Sequence, residues 1–206
     1  GGGIILLQML GILKNHKISK NKFSDYLHLK TEMERRIYAD RAEYMADADF
    51  YPVPVEQLVA DEYLKERFQN FNPDKATPST EIKAGDLLQE SEETTHFSIV
   101  DKEGNAVSST TNMFGVLGGE ANKVEPEKRM LSSMSPTILE KNGKLFMVVG
   151  TPGGSTIPTS VFQAIVNVIE FDMGMQESVN ENRFHSQWKP DWISYEKGES
   201  NEPILK

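Results

Sequence analysis

The hydrophobic pattern of this chain changes abruptly at Thr94, and that change limits the folds the chain can adopt. Before Thr94 apolar residues recur at helical spacing, whereas after it apolar and polar residues alternate as they do in strands. Residues 96–101 predict a strand, Lys102-Glu103-Gly104-Asn105 a hairpin turn, and residues 105–111 a second strand. Residues 79–93, just upstream, predict an exposed linker. We therefore expect a helical part that a linker joins to a strand-rich part.

Three helices are predicted upstream of the linker. Residues 4–14 carry a broad apolar band that fits a well-buried helix, with the preceding glycines as a loop that leads into it. Residues 22–46 predict a long helix, and residues 55–71 a further amphipathic helix after a loop with two prolines. The charge-rich residues 38–44 of the long helix predict a solvated face with local ion pairs.

A second hairpin and two helices are predicted downstream. Residues 136–150 form the hairpin, with Asn142-Gly143 at its turn. The second arm is apolar throughout, which predicts a central strand covered on both faces. Residues 160–171 predict a long apolar helix, and residues 176–182 a short acidic one.

Composition excludes several classes of protein. The chain has 206 residues, enough for a sizeable core, and no cysteine, which excludes a thiolate nucleophile, disulfides and cysteine-ligated zinc. Its net charge of -9 argues against nucleic-acid binding because no basic stripe offsets it. No apolar run reaches the length of a membrane span, and the first residues lack a signal-peptide pattern. Asp47 and Asp49 match a calcium loop only weakly, so we predict neither a metal nor a cofactor.

Without cysteine, a covalent catalyst needs another nucleophile, and Thr94 is a candidate. A threonine at the start of a chain carries its own base, because its α-amine has a pKa of about 8 and can accept a proton at neutral pH. That chemistry requires cleavage between Glu93 and Thr94. The alternative, which residue chemistry alone favours, is that Thr94 and Thr95 simply begin a strand.

Two segments offer hydrogen-bond donors for an anion. Gly153-Gly154 lies between a strand and a helix, so its backbone N–H groups can point at an oxyanion or a carboxylate. An ordinary strand-to-helix turn explains the glycines equally well. Residues 131–136 contain Ser132 and Ser133, whose hydroxyls can hold a carboxylate, although serine is also common in turns.

Two histidine-containing stretches have structural interpretations. A triad of His96, Ser98 and Asp101 fails because the first two side chains point to one face of the strand and Asp101 to the other. Residues 183–188 predict a helix end packed on the core, with Arg183 and His185 capping carbonyls.

Several blocks, in order, carry a resemblance to a known family. They are Tyr38-Ala39-Asp40-Arg41 with Glu43-Tyr44 and with Asp47 and Asp49-Phe50; residues 93–101 with Gly104-Asn105-Ala106-Val107; residues 128–137; residues 150–155; and Arg183-Phe184-His185 with Gln187-Trp188. In this order they resemble the γ-glutamyltranspeptidases over nearly the whole chain.

The resemblance implies an α/β (α+β) fold, the four-layer αββα sandwich of the N-terminal-nucleophile hydrolases, here as an incomplete copy. In that family the precursor cleaves itself before the threonine into a large and a small subunit. Residues 1–93 would be the C-terminal part of the large subunit, mostly helical and ending in a linker. Residues 94–206 would be the small-subunit part that begins at the nucleophile.

The resemblance also implies an activity without a cofactor. Thr94 would take the γ-glutamyl group from glutathione or a related amide and pass it to water, an amino acid or a peptide. Ser132 and Ser133 would hold the substrate α-carboxylate, and Gly153 and Gly154 would supply oxyanion N–H groups. Family members are usually exported, so we expect a periplasmic or extracellular heterodimer of the two subunits, with any signal peptide outside this chain.

The chain departs from the family pattern at one internal place. Thr110-Thr111 runs directly into Asn112-Met113-Phe114-Gly115, which resembles family sequence well downstream. The second threonine that supports the nucleophile, the groups that bind the substrate amine and the carboxylate-binding arginine have no counterparts. We expect missing segments there and at both ends. Two alternatives stay open: an acylase or poly-γ-glutamate depolymerase with the same nucleophile, and an inactive, unprocessed homologue.

Overall fold

A computed structural model describes residues 1–19, 22–85, 98–100, 106–108, 120–123 and 125–197. The helices are α1 (Gly2–Leu13), α2 (Phe23–Tyr44), α3 (Val55–Leu58), α4 (Asp61–Phe68), α5 (Ile157–Ile169) and α6 (Met175–Asn180). The strands are β1 (Ser98–Val100), β2 (Ala106–Ser108), β3 (Thr137–Lys141), β4 (Lys144–Val149), β5 (Phe184–His185) and β6 (Ser194–Tyr195). The described strands form three antiparallel pairs, β1–β2, β3–β4 and β5–β6. The predicted change from helices to strands is therefore seen in these residues.

Helix α1 contacts α2, α4 and α5, and its apolar side chains fill the space between them. Ile5 and Met9 of α1 and Phe162 of α5 are completely buried. The prediction that the opening glycines form a loop is wrong, because α1 begins at Gly2. A Cβ atom on Gly2 would lie 2.5 Å from the carbonyl oxygen of Met134, so only glycine lets this end of the helix approach that segment.

Helix α2 is buried over most of its length, and the predicted solvated face over residues 38–44 is wrong. Tyr38, Asp40 and Arg41 are at most 5% exposed. Distant segments supply the partners that make this burial tolerable: Asp40, for example, accepts hydrogen bonds from Arg67 and from the N–H of Gly85. Charge at helical spacing is typical of a solvated surface, and only the tertiary structure reveals that these partners exist.

The segments that follow α2 differ from prediction in two details. The helix predicted over residues 55–71 is interrupted, so that α3 ends at Leu58 and α4 begins at Asp61. The predicted linker is not exposed throughout, because Ile82 is 4% exposed and the Tyr44 hydroxyl donates to the carbonyl of Gly85. Residues 86–93 of the predicted linker lie outside the described residues.

The two predicted hairpins are both present. In the first, Ser98 pairs with Ser108, and its predicted turn lies outside the described residues. In the second, Asn142 and Gly143 have φ values of 55° and 70°, as the Asn-Gly turn predicts. The prediction of a covered strand is wrong for β4. It pairs only with β3 in the described part of the chain, and Val148 is 67% exposed whereas Met147 is 6% exposed.

The last described elements pack on the helical core. Helix α5 is largely buried, and α6 contacts it. The predicted helix end over residues 183–188 is wrong, because Phe184 and His185 form β5 and pair with β6. In the residues that the structure describes, no helix combines the length and apolar character needed to cross a membrane.

Candidate active site

The Gly153-Gly154 loop joins β4 to α5 through a short 3-10 helix, Gly154–Thr156. The two glycines have φ values of 141° and 59°, in the left-handed region that favours glycine. The carbonyl oxygen of Gly153 accepts hydrogen bonds from the N–H and the hydroxyl of Thr156, at 3.1 and 2.9 Å. Within the described residues, the N–H groups of Gly153 and Gly154 have no acceptor, so they are available to an anion.

The residue after this loop is held from two directions. The Tyr38 hydroxyl on α2 donates to the carbonyl oxygen of Ser155. The Ser155 hydroxyl donates to Oε1 of Gln187 at 2.9 Å, and Nε2 of His185 lies 3.3 Å from the same oxygen. Tyr38 of α2 and Gln187, which follows β5, therefore hold the end of the glycine loop from two sides.

His185 is a buried, structural histidine in this arrangement. Burial lowers its pKa, so the ring is neutral at pH 7. The Thr159 hydroxyl oxygen lies 2.9 Å from both the carbonyl oxygen of Thr156 and Nδ1 of His185. The ring also packs edge-on against Tyr38, with 5.3 Å between centroids. His185 thereby connects β5 to the first turn of α5.

A buried ion pair on α2 holds the residues that flank His185. Nζ of Lys30 donates to Oε1 of Glu34 and to the carbonyl oxygen of Phe184, both at 2.6 Å. The other carboxylate oxygen of Glu34 accepts the N–H of Ser186 at 2.8 Å. Both charged side chains are fully buried, and they satisfy backbone groups on either side of His185.

Ser132 and Ser133 lie in the segment that leads into β3. The Oγ of Ser132 accepts the N–H of Met134 at 3.2 Å, and the Oγ of Ser133 accepts Nη2 of Arg41 at 2.9 Å. Ser132 is exposed and Ser133 is 9% exposed. Each oxygen is thus an acceptor, and in the part of the chain that the structure describes neither hydroxyl proton has an acceptor. Two adjacent hydroxyl donors suit a carboxylate.

Charged contacts anchor the chain just before the serines. Arg129 donates to Asp47 from its backbone N–H at 2.8 Å and from Nε at 2.9 Å, and its other end pairs with Asp49. The hydrogen bonds from Arg129 hold the pKa of Asp47 well below its usual range. The two aspartates that weakly match a calcium loop therefore both bind an arginine.

Of the predicted site residues, the structure describes four. Ser133, next to Ser132, accepts a hydrogen bond from Arg41, and Ser155, directly after the Gly153-Gly154 loop, accepts one from Tyr38, one turn earlier on α2. Thr94 lies outside the described residues, as do His96 and Asp101, so its role stays a prediction. Residue chemistry did not single out Tyr38 and Arg41. The signal available was a charge-rich stretch in a long helix that coincides with a block of family resemblance.

The comparison with known families agrees with the resemblance. The family model for gamma-glutamyltranspeptidase matches residues 1–119 and 109–206. The chain belongs to the gamma-glutamyltranspeptidase family. The two matches overlap at residues 109–119, around the place where the sequence departs from the family pattern.

Two curated relatives of this chain are glutathione hydrolase proenzymes. The one from Escherichia coli K12 is 40% identical over 239 residues, which cover 98% of this chain and 41% of the relative. The one from Pseudomonas aeruginosa is 41% identical over 233 residues, which cover 95% of this chain and 41% of the relative. The chain spans about two-fifths of the length of these relatives.

A solved structure extends the comparison to the fold. A cephalosporin acylase from Bacillus halodurans matches with a TM-score of 0.66 and 23% sequence identity. The match covers 90% of this chain and 37% of that chain. The arrangement of helices and strands described above is therefore shared with part of that acylase.

Proposed function

We propose that this gamma-glutamyltranspeptidase chain belongs to a γ-glutamyltransferase and glutathione hydrolase that works through an acyl-enzyme on Thr94. One observation carries the proposal: two sets of donors that lack acceptors among the described residues, the N–H groups of Gly153 and Gly154 and the hydroxyls of Ser132 and Ser133, lie in segments that α2 contacts through Tyr38 at Ser155 and through Arg41 at Ser133. The first set suits a developing oxyanion and the second a carboxylate. A γ-glutamyl amide needs both during acyl transfer.

Acylation begins with the free amine of Thr94 after cleavage of the Glu93–Thr94 bond. The amine takes the hydroxyl proton as Oγ attacks the γ-carbonyl carbon of the donor. The carbonyl oxygen becomes an oxyanion, which the N–H groups of Gly153 and Gly154 stabilise. The C–N bond then breaks, and the leaving amine takes the proton from the α-ammonium group.

Deacylation repeats these steps with a second nucleophile. Water or the amine of an amino acid or peptide attacks the γ-glutamyl ester, and the α-amine of Thr94 takes a proton from it. Collapse of the second oxyanion returns that proton to Oγ of Thr94. Throughout, Ser132 and Ser133 hold the α-carboxylate of the γ-glutamyl group, which keeps the reacting carbon in place.

The proposal extends to the form and location of the protein. Self-cleavage gives two subunits, and the residues before Thr94 stay associated with those after it through the contacts of α1 and α2 with α5, β5 and the serine segment. The fold is proposed to be the four-layer αββα sandwich, and the location periplasmic or extracellular, as the resemblance to a usually exported family implies.

Intact mass and activity of the full-length protein test this function. Wild type should yield a fragment that begins at Thr94 and should release the aniline from a γ-glutamyl anilide. Thr94→Ala should remain one chain and lose activity, whereas Thr94→Ser should still cleave because it keeps a hydroxyl. Wild-type rates in Thr94→Ala would show that another group is the nucleophile.

The same experiment separates the alternatives. A processed protein that ignores γ-glutamyl anilides but hydrolyses another amide or poly-γ-glutamate is an acylase or depolymerase with the same nucleophile. A protein that stays uncut and inert is a non-catalytic homologue. Either result would overturn the γ-glutamyl transfer reaction proposed here.

A further inference from the structure

Arg41 differs from the other buried cations of α2. Lys30 pairs with Glu34 at 2.6 Å, and Arg36 pairs with Glu32 at 2.6 Å. Arg41 is 5% exposed and, among the described residues, has no carboxylate partner. Its Nε is buried without an acceptor there. A buried guanidinium without a counter-ion is costly, so its position calls for an explanation other than stability.

The contact between Arg41 and Ser133 determines how the serine can act. A guanidinium has only donors, so at 2.9 Å from Nη2 the Oγ of Ser133 must be the acceptor. The serine proton is then directed away from Arg41. A cation behind a hydroxyl also strengthens that hydroxyl as a donor to an anion in front of it.

Neighbouring groups keep this geometry fixed. The guanidinium carbon of Arg41 lies 5.8 Å from the centroid of the Tyr38 ring, one turn away on the same helix. The Ser135 hydroxyl donates to the carbonyl oxygen of Ser133 at 3.0 Å, which holds the backbone of the serine segment. The Ser133 hydroxyl is therefore set on a rigid support rather than in a freely moving loop.

We propose that Arg41 is a positioning residue for substrate selection: it directs the Ser133 hydroxyl toward the α-carboxylate of the donor and places a positive charge behind it. This inference rests on the proposed function. It adds that the preference for γ-glutamyl substrates that carry an α-carboxylate depends on Arg41, a helix residue that the substrate need not touch.

Two anilides isolate this role in the full-length protein. γ-Glutamyl p-nitroanilide carries the α-carboxylate, and 4-aminobutanoyl p-nitroanilide is the same compound without it. Arg41→Gln should raise KM for the first about tenfold or more, with kcat within about threefold, and should leave kcat/KM for the second unchanged. The ratio of the two kcat/KM values should therefore fall about tenfold. Arg41→Lys, which keeps the charge, should retain part of the wild-type ratio.

A matched control uses Arg67, another arginine bound to α2. It donates to Asp40 and to the carbonyl oxygen of Arg36, and it contacts neither serine. Arg67→Gln should lower stability and leave the substrate ratio unchanged. If Arg41→Gln fails to fold, the ratio of the two kcat/KM values in Arg41→Lys tests the inference. A ratio equal to that of wild type contradicts it.

The outcomes separate this inference from the function on which it rests. An active wild type in which Arg41→Gln slows both anilides by the same factor makes Arg41 merely structural and leaves the function standing. A processed wild type that cleaves neither anilide overturns the proposed function and the role of Arg41 together. A selective loss on the carboxylate-bearing anilide supports both.

Discussion

The Tyr38 hydroxyl of α2 donates a hydrogen bond to the carbonyl oxygen of Ser155, the residue directly after the Gly153-Gly154 loop. Burial raises the pKa of Tyr38 far above its ordinary value, so the hydroxyl stays protonated as a donor at every physiological pH. The loop whose N–H groups lack an acceptor among the described residues is therefore fixed at its end to a helix that is buried over most of its length.

Tyr38→Phe should slow turnover more than it weakens substrate binding. The ring stays in place, but the Ser155 carbonyl loses a buried donor, which costs about 1–2 kcal/mol, and the Gly153-Gly154 donors lose part of their alignment. We expect kcat for a γ-glutamyl anilide to fall about fivefold to tenfold, with KM changed less than about twofold. Steady-state kinetics of the full-length protein measure both, and a change confined to KM would contradict the assignment of Tyr38 to the glycine loop.

Gly2→Ala and Gly3→Ala form a matched pair at the start of α1. A Cβ atom on Gly2 would clash with the carbonyl oxygens of Ser133 and Met134, whereas nothing lies within 4 Å of one on Gly3. Gly2→Ala should lower the free energy of unfolding by about 1–3 kcal/mol and raise KM by shifting the serine segment. Gly3→Ala should raise stability by up to about 1 kcal/mol, since alanine favours helix.

Chemical denaturation and donor KM test the pair together. Because both substitutions change glycine to alanine in one helix turn, the difference between them isolates the close approach to Ser133. Equal effects of the two variants would mean that the segment adapts without cost.

The sequence pattern predicted most elements within a few residues, but it could not predict that the charged side chains of α2 are buried. Apolar spacing and charge describe a helix locally, and the local pattern of α2 is that of a surface. The partners that allow its charges to be buried are distant in sequence: Lys30 meets the carbonyl of Phe184, and Arg41 meets Ser133. Only tertiary contacts distinguish a solvated charged face from a buried network.

The candidate site residues were predicted from the chemistry of their groups, whereas the helices and strands were predicted from hydrophobic spacing. Backbone chemistry made the glycine pair a candidate anion site, with an ordinary strand-to-helix turn as an equal alternative, and the structure adds positive φ values and N–H groups without an acceptor among the described residues. Thr94 is harder to predict, because its proposed chemistry depends on breaking the bond before it and not on its side chain alone.

The burial of β4 was not predictable from its sequence. The apolar run predicted burial on both faces, yet Val148 is 67% exposed in the described structure. An apolar strand does not itself specify what covers it.

Glu34→Gln should destabilise the protein strongly, because it leaves the buried charge of Lys30 uncompensated. We expect the free energy of unfolding to fall by about 3 kcal/mol at pH 7. Burial already lowers the pKa of Lys30, and the loss of Glu34 lowers it further, so the unfolded state binds more protons at alkaline pH. The difference in unfolding free energy between wild type and Glu34→Gln should therefore shrink as the pH rises from 7 toward 10.

The control for Glu34 is an exposed ion pair at the start of the same helix, between Lys22, which precedes α2, and Asp25 in its first turn. Lys22 and Asp25 are 3.6 Å apart, with side chains 71% and 67% exposed. Asp25→Asn should change stability by less than about 0.5 kcal/mol, because solvent screens the pair. Urea denaturation at pH 7 and pH 10 measures both variants, and a Glu34→Gln deficit that is small or independent of pH would contradict the assignment.

Asp47 should make stability depend on acidic pH through Arg129. The hydrogen bonds from Arg129 depress the folded pKa of Asp47, whereas in the unfolded chain this carboxyl titrates at about 4. Its contribution is therefore complete above that value and is lost as the pH falls through it toward the lower folded pKa. Between pH 7 and pH 3, wild type should lose more unfolding free energy than Asp47→Asn does. Arg129→Gln should show the same reduced loss, because it removes the cause of the shift. Urea denaturation across this range tests the link, and wild-type pH dependence in both variants would place the acid-sensitive group elsewhere.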